Sequence, residues 1–241
     1  MNSSLSSPPI PVAPVKGKRS CVLLLSGGLD SATCLALVSH WGWKVHALSF
    51  DYGQRHRIEL RAARTLARKY HAVSHRVIAI PSLGALGGSA LTDRSIRVPK
   101  KALGKAPIPI TYVPARNTLF LAFALGVAES NGATEIVIGA NALDYSGYPD
   151  CRPAFLEAFE RVAKLGTKAG VEGRSLAVRA PLLHMSKGGI VRLARTLGLD
   201  TSLTRSCYAP GPGGRPCGSC DSCLLRAKGF REAEEEDTSK S

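Results

Sequence analysis

No part of the sequence limits the possible folds more than Cys21 to Val38, CVLLLSGGLDSATCLALV. A short apolar run stops at Ser26-Gly27-Gly28, and an apolar helical pattern follows at once. Glycines between a strand and a helix let the backbone approach a ligand closely and take positive φ. The helix start adds unpaired N–H groups and the positive end of a dipole. Together these make an anion site suited to phosphate. Ser26 and Ser31 can add hydroxyl donors. Asp30 is a poor partner for phosphate and suits a metal ion or a cap of the turn. A plain Gly-Gly turn with an aspartate cap is the simpler alternative. The full S-G-G-x-D-S pattern after the first strand favours phosphate. The turn is neither G-x-x-x-x-G-K-[ST], for want of the lysine, nor G-x-G-x-x-G.

The rest of the chain alternates strand and helix patterns. KVHALSF, HRVIAI and EIVIGA read as strands. RIELRAARTLARKY, TLFLAFALGVAESNG, FLEAFERVAKLGTKAG and SKGGIVRLARTLGL read as helices. Residues 81–117, rich in glycine and proline, read as a long functional loop. Repeated units of this kind predict an α/β fold: a Rossmann-like parallel sheet with helices on both faces. Ligands then bind along the edge formed by the strands' C-terminal ends. The expected organisation is a loose Ser/Pro-rich extension over 1–18 and a nucleotide-binding domain over 19–200. A cysteine-rich region over 201–232 and a loose acidic tail over 233–241 follow.

The formal net charge is +14, from 32 Lys and Arg against 18 Asp and Glu. That favours phosphate-rich partners, although the basic residues are scattered and suit a solvated surface equally. The N-terminal segment lacks the continuous apolar stretch of a signal peptide. No apolar run reaches the ~20 residues that cross a bilayer. The expectation is a soluble, cytoplasmic protein without a membrane partner.

Seven cysteines without an export signal argue against a disulfide framework. Four of them, Cys207, Cys217, Cys220 and Cys223, crowd CYAPGPGGRPCGSCDSC. Thiolates on such turns converge on one tetrahedral ion at about 2.3 Å. Four thiolate ligands close the coordination shell, so the expected Zn2+ is structural. An iron–sulfur cluster is the rival, and the hydrophilic, glycine-rich setting favours zinc. Cys21 and Cys34 lie in apolar patterns and read as buried fillers. A nucleic-acid-binding zinc module is the alternative the charge suggests. The cysteine region has too few basic and aromatic residues to form such a face, and no stable nucleic-acid partner is expected.

Three further motifs follow strands or open helices. DYGQRH (51–56) lies on the same edge as the glycine turn, where a ribose or base contact belongs. VPARN (113–117) brings Arg116 to a helix start, within reach of a phosphate. GANALDYSGYPDCRPAF (139–155) gathers tyrosines, aspartates and an arginine that suit a planar, hydrogen-bonding ligand.

These motifs carry a resemblance. S-G-G-[LIM]-D-S resembles the signature of the PP-loop ATP pyrophosphatases, which cleave ATP between its α and β phosphates. SGGLDS, FDYGQRH, VPARN, GANALDYSGYPDCR, TRSCY and CGSCDSCLLRAKGF appear in that order from Ser26 to Phe230. The set resembles the 7-cyano-7-deazaguanine synthase family of queuosine biosynthesis. The resemblance implies an ATP segment of Leu25, Ser26, Gly27, Gly28, Leu29, Asp30, Ser31, Ala32, Thr33, Cys34 and Leu35. It also implies zinc on Cys207, Cys217, Cys220 and Cys223. A deazaguanine site with Asp144, Tyr148, Asp150 and Arg152 as candidates follows, and so do Asp30, Ser31, Arg116 and Lys187 as the groups acting on the phosphates with Mg2+. The implied substrates are 7-carboxy-7-deazaguanine, ATP and free ammonia, and the implied assembly is a homodimer. The alternative within the superfamily is a tRNA thiolase or an amide-forming ligase. The Ser/Pro-rich extension and the padded cysteine loop depart from the family pattern without touching the motifs.

Overall fold

The computed structural model describes residues 10–14, 17, 19–101, 108–141, 147–174, 176–234 and 237–238. Among these, five strands form one parallel sheet in the order β3-β2-β1-β4-β5. The strands are β1 (Ser20–Leu24), β2 (Lys44–Asp51), β3 (Ser74–Ala79), β4 (Glu135–Val137) and β5 (Ala177–Arg179). β1 is central, with Cys21 opposite both Val45 and Glu135. The helices are α1 (Leu29–His40), α2 (Glu59–Lys69), α3 (Pro81–Ala85), α4 (Arg116–Asn131) and α5 (Pro153–Gly166). They continue with α6 (Lys168–Val171), α7 (Lys187–Thr196) and α8 (Asp221–Ala233).

β1 is apolar at four successive positions because both of its faces are covered. Cys21 and Leu23 join a core layer with residues of α1, α2, α7 and α8. Val22 and Leu24 join a second layer with residues of α4 and α5. The amphipathic pattern of α2 resolves cleanly: Ala62, Ala63, Leu66 and Ala67 are buried, while Arg61, Arg64 and Arg68 are exposed. Cys21 and Cys34 are buried fillers, as their patterns suggest. The expected Rossmann-like α/β architecture is the one observed.

Several boundaries differ from the sequence reading. The pattern FLEAFERVAKLGTKAG breaks at Thr167, whose backbone is extended and whose hydroxyl caps α6 by accepting from Gly170 N at 3.0 Å. β5 is three residues long and α8 is only weakly amphipathic, so neither stood out as a pattern. Residues 81–117 are less open than a loop reading implies: α3 forms there, and Ser89, Ala90, Leu91 and Val113 are buried. At the termini, Pro11 O accepts from Trp41 Nε1 at 2.8 Å. Ala233 closes α8, and the Asp237 carboxylate is gripped by Arg226. No helix among the described residues is long and apolar enough to cross a membrane.

Candidate active site and cysteine cluster

The sheet order places a topological switch point between β1 and β4, where a crevice opens beyond the strand ends. The glycine turn lies at this point. Gly27 has φ 91°, and a Cβ on it would stand 2.3 Å from Glu59 O and 2.8 Å from Ala63 N. The turn is therefore pressed against the first turns of α2, and only glycine fits. Gly28 caps α1 with extended backbone. Ser26 Oγ accepts from Gly28 N at 3.2 Å, and Ser31 Oγ donates to Gly28 O at 3.1 Å. From the C-terminal region, Arg205 N donates to Gly27 O at 2.8 Å.

Asp30, in the first turn of α1, is not directed at an anion. Its Oδ2 accepts from Lys187 Nζ at 2.5 Å and from Asn141 Nδ2 at 2.9 Å. Lys187 opens α7, whose N-cap Ser186 accepts from Gly189 N at 3.1 Å. The turn thus carries a carboxylate and an ammonium side by side, a pairing suited to a metal-bound polyphosphate.

A cavity of about 250 Å3 runs from this turn. It passes Ser49, Phe50 and Tyr52 at the end of β2, then Arg116 and Asn117 at the start of α4, and reaches Tyr148. Arg205, Ser206, Tyr208 and Arg226 form the wall from the C-terminal region. Phe50 stacks on Phe120 at 3.9 Å between centroids, giving this stretch an aromatic floor. The Arg116 guanidinium sits by the Tyr52 hydroxyl, and its Nε donates to Asn117 Oδ1 at 3.3 Å. Tyr148 OH lies 2.9 Å from Thr111 Oγ1.

Not every residue singled out from the sequence lies in this cavity. Leu25, Ser26, Gly28, Leu29, Asp30 and Ser31 line it, as do Arg116, Lys187 and Tyr148. Ala32, Thr33, Cys34 and Leu35 are buried in the core side of α1. Asp150 is buried behind the start of α4, where Oδ2 accepts from Asn117 N at 2.9 Å and so satisfies one free N–H of that helix. Arg152 is exposed at the N-cap of α5, outside the lining residues. Asp144 lies outside the described residues.

Glu59, a lining residue, escaped the sequence reading, and His56 entered it only as the end of the DYGQRH motif. Gln54 between them and β2 is wholly engaged. Its Nε2 donates to Phe50 O at 2.9 Å and Glu59 Oε1 at 3.2 Å, and its Oε1 accepts from Tyr52 N at 2.9 Å. His56 Nε2 lies 3.4 Å from Glu59 Oε1. Burial pushes the Glu59 carboxyl up to about 8, against the opposing pull of Gln54 and Arg116. Burial, with Arg116 adding to it, holds His56 down to about 4. The signal in the sequence was the Glu three residues after the histidine, hidden within a regular amphipathic pattern.

The four cysteine Sγ atoms of Cys207, Cys217, Cys220 and Cys223 all lie within 4.8 Å of one another. A tetrahedral ion with bonds of about 2.3 Å needs sulfurs about 3.8 Å apart, so small shifts complete the shell. Backbone N–H groups already point at the sulfurs: Cys217 N to Cys207 Sγ at 3.2 Å and Cys220 N to Cys217 Sγ at 3.3 Å. Hydrogen bonds from the Cys207 and Cys223 thiols hold Cys220 low. Contacts with Cys207 and then Cys220, with burial adding, push Cys223 up. Crowded thiols that compete for protons are what a dication relieves. The residues fit a metal ion such as zinc.

A glycine turn at the switch point of a 3-2-1-4-5 parallel sheet, with a four-cysteine cluster near the C-terminus, defines a Rossmann-like α/β protein. The family model described as "Queuosine biosynthesis protein QueC" matches residues 20–234, and the chain belongs to that family. A 7-cyano-7-deazaguanine synthase of Anaeromyxobacter sp. (strain Fw109-5) is 59% identical over 218 residues, covering 89% of this chain and 93% of that protein. One of Ectopseudomonas mendocina (strain ymp) is 57% identical over 222 residues, 92% of this chain and 98% of that one. Among solved structures, NMN synthetase from Francisella tularensis matches loosely. Its TM-score is 0.48 at 16% identity, over 92% of this chain and 80% of that one.

Proposed function

We propose that the chain uses ATP to convert 7-carboxy-7-deazaguanine and ammonia into 7-cyano-7-deazaguanine. The observation that carries this reading is the single cavity joining the glycine turn to Arg116 and Tyr148. It lets ATP and a planar carboxylate share one chamber, and family membership supplies the substrate. A carboxylate oxygen and an amide oxygen are both poor leaving groups, so two activations are needed. The substrate carboxylate attacks the α phosphorus and pyrophosphate leaves. Ammonia adds to the acyl carbon, AMP leaves, and the amide forms. The amide oxygen then attacks the α phosphorus of a second ATP, pyrophosphate leaves again, and loss of AMP and two N–H protons gives the nitrile.

The protein's part is positioning and charge stabilisation. The turn, with Ser26, Ser31 and the start of α1, holds phosphate oxygens within the segment Leu25–Leu35. Lys187 and Arg116 offset the charge of the departing pyrophosphate. Mg2+ bound with ATP would neutralise phosphate charge, and Asp30 is placed to hold it. Tyr148 forms the deazaguanine end with Asp144 of the same loop, Asp150 acts from behind the cavity by fixing Asn117, and Arg152 stands outside the lining. Zn2+ on Cys207, Cys217, Cys220 and Cys223 is structural and holds the Arg205–Tyr208 wall.

The enzyme works in the cytoplasm as a homodimer. α4 carries an apolar stripe of Leu119, Ala122, Phe123 and Gly126, with Phe123 40% exposed. A two-fold axis would pack this stripe on its copy. Light scattering reading a monomer for the wild type would remove the dimer.

The test of the reaction is incubation with Mg2+-ATP, ammonium and 7-carboxy-7-deazaguanine, with mass spectrometry of base and nucleotide. Nitrile with two AMP per product is expected. Amide alone would make the chain an amide synthetase, and ADP in place of AMP would overturn the adenylation.

A further inference from the structure

The reaction needs a base for the nitrogen nucleophile, and the phosphate-binding groups do not provide one. Of the described residues lining the cavity, only Asp30 and Glu59 carry carboxyl groups. Asp30 is engaged by Lys187 and Asn141. Glu59 is 9% exposed and lines the same cavity. Its Oε1 faces Gln54 and His56, while no hydrogen bond to Oε2 is found among the described residues. The backbone of the same residue is in contact with Gly27, so its side chain starts beside the phosphate turn.

His56 provides a second, independent observation. It is 7% exposed, and its Nδ1 is buried without a partner among the described residues. A buried polar atom of this kind calls for a partner. The charged and titratable groups facing this corner are Tyr52 from β2, Arg116 from α4, Arg205, Tyr208 and Arg226 from the C-terminal wall, and Cys207, Cys220 and Cys223 of the cysteine cluster. The arginines make the corner hostile to ammonium and open to neutral ammonia, which must lose a proton as it reacts.

We propose that this corner is the ammonia site, and that the Glu59 carboxylate takes the proton from ammonia as it attacks the acyl adenylate. The assignment rests on the function proposed above. The C–N bond forms and the tetrahedral nitrogen gives one proton to Glu59 Oε2. The C–O bond to AMP then breaks, with AMP carrying away the electron pair. His56 Nδ1 orients the incoming N–H group, and Gln54 fixes Oε1 so that Oε2 faces the cavity. The raised carboxyl, at about 8, puts the base near the pH at which such an enzyme works.

The experiment separates the two half-reactions in Glu59→Gln, which keeps an oxygen for Gln54 to donate to. Pyrophosphate–ATP exchange dependent on 7-carboxy-7-deazaguanine reads adenylation without ammonia. The expected result is exchange within about twofold of wild type and amide formation lower by about 100-fold. Hydroxylamine, which attacks activated esters without a base, should give hydroxamate at nearly the wild-type rate. Amide formation at the wild-type rate, or exchange lost in step with it, overturns the assignment. Should the variant not fold, the wild type decides: at constant free ammonia, amide formation should rise with an inflection near pH 8, and a flat profile overturns the base. Wild-type protein without exchange would sink the proposed function itself, a different outcome from normal exchange with a fully active Glu59→Gln.

Discussion

Replacing Gly27 by alanine tests whether the glycine turn is built by contact with α2. The added Cβ would lie 2.3 Å from Glu59 O and 2.8 Å from Ala63 N, both backbone atoms of a packed helix. Neither can swing away as a side-chain end does. The positive φ of 91° adds about 1–2 kcal/mol for an L-residue. Overpacking against fixed neighbours adds about 1–3 kcal/mol. The sum, about 2–5 kcal/mol, corresponds to a fall in melting temperature of roughly 10 °C for a domain of this size. Gly28→Ala is the control. Gly28 has ordinary extended backbone, and its added Cβ would meet nothing nearer than Ser26 Oγ at 3.4 Å. It should cost about 1 kcal/mol as an altered N-cap, yet weaken ATP binding because it faces the cavity. Thermal melting of both variants with and without Mg2+-ATP reads the two effects apart. A Gly27→Ala protein melting within about 2 °C of wild type would refute the reasoning.

Lys187→Met removes the ammonium beside Asp30, and kcat for AMP release should fall by about 100-fold with little change in melting temperature. Stripping the metal from the four-cysteine cluster with a chelator should lower the melting temperature and blunt the stabilisation by ATP, as calorimetry will read. Arg226→Leu removes the buried ion pair between Arg226 and the Asp237 carboxylate, and denaturant unfolding should show a loss of about 3–5 kcal/mol. Glu59→Gln should be more stable than wild type by a margin that grows with pH. The native Glu59 carboxyl is raised from 4.5 to about 8, so wild type loses stability as pH rises through that window while the amide does not. Melting curves at pH 5 and pH 8 with the same margin would contradict that burial.

The parts legible in the sequence were those with a local signature. The turn at Ser26–Ser31 announced itself because glycine, serine and aspartate at fixed spacing have few other uses between a strand and a helix. The cysteine cluster did so because four cysteines crowded on one glycine-rich loop bring their sulfurs within reach of one another. β5, Ala177–Arg179, was hidden because three residues cannot display a period, and its place is set by pairing with β4. Glu59 was hidden for a different reason. On a helical wheel it reads as one more charge at a helix start, and only the crossing of α2 under the turn buries it. Asp150 was misplaced in the same way: a polar residue in a turn-rich loop reads as a ligand contact until the helix it satisfies is seen.

The hydrogen bond from Arg205 N to Gly27 O joins positions 178 residues apart along the chain. A ribosome making this protein finishes the glycine turn early and then must complete most of the sequence before the wall beside it exists. The cysteine loop and α8, emerging last, bring Arg205, Ser206 and Arg226 to the cavity. An unfinished chain therefore lacks the wall that these residues give the cavity beside the glycine turn. Closure of the site falls to the part of the chain that is made last.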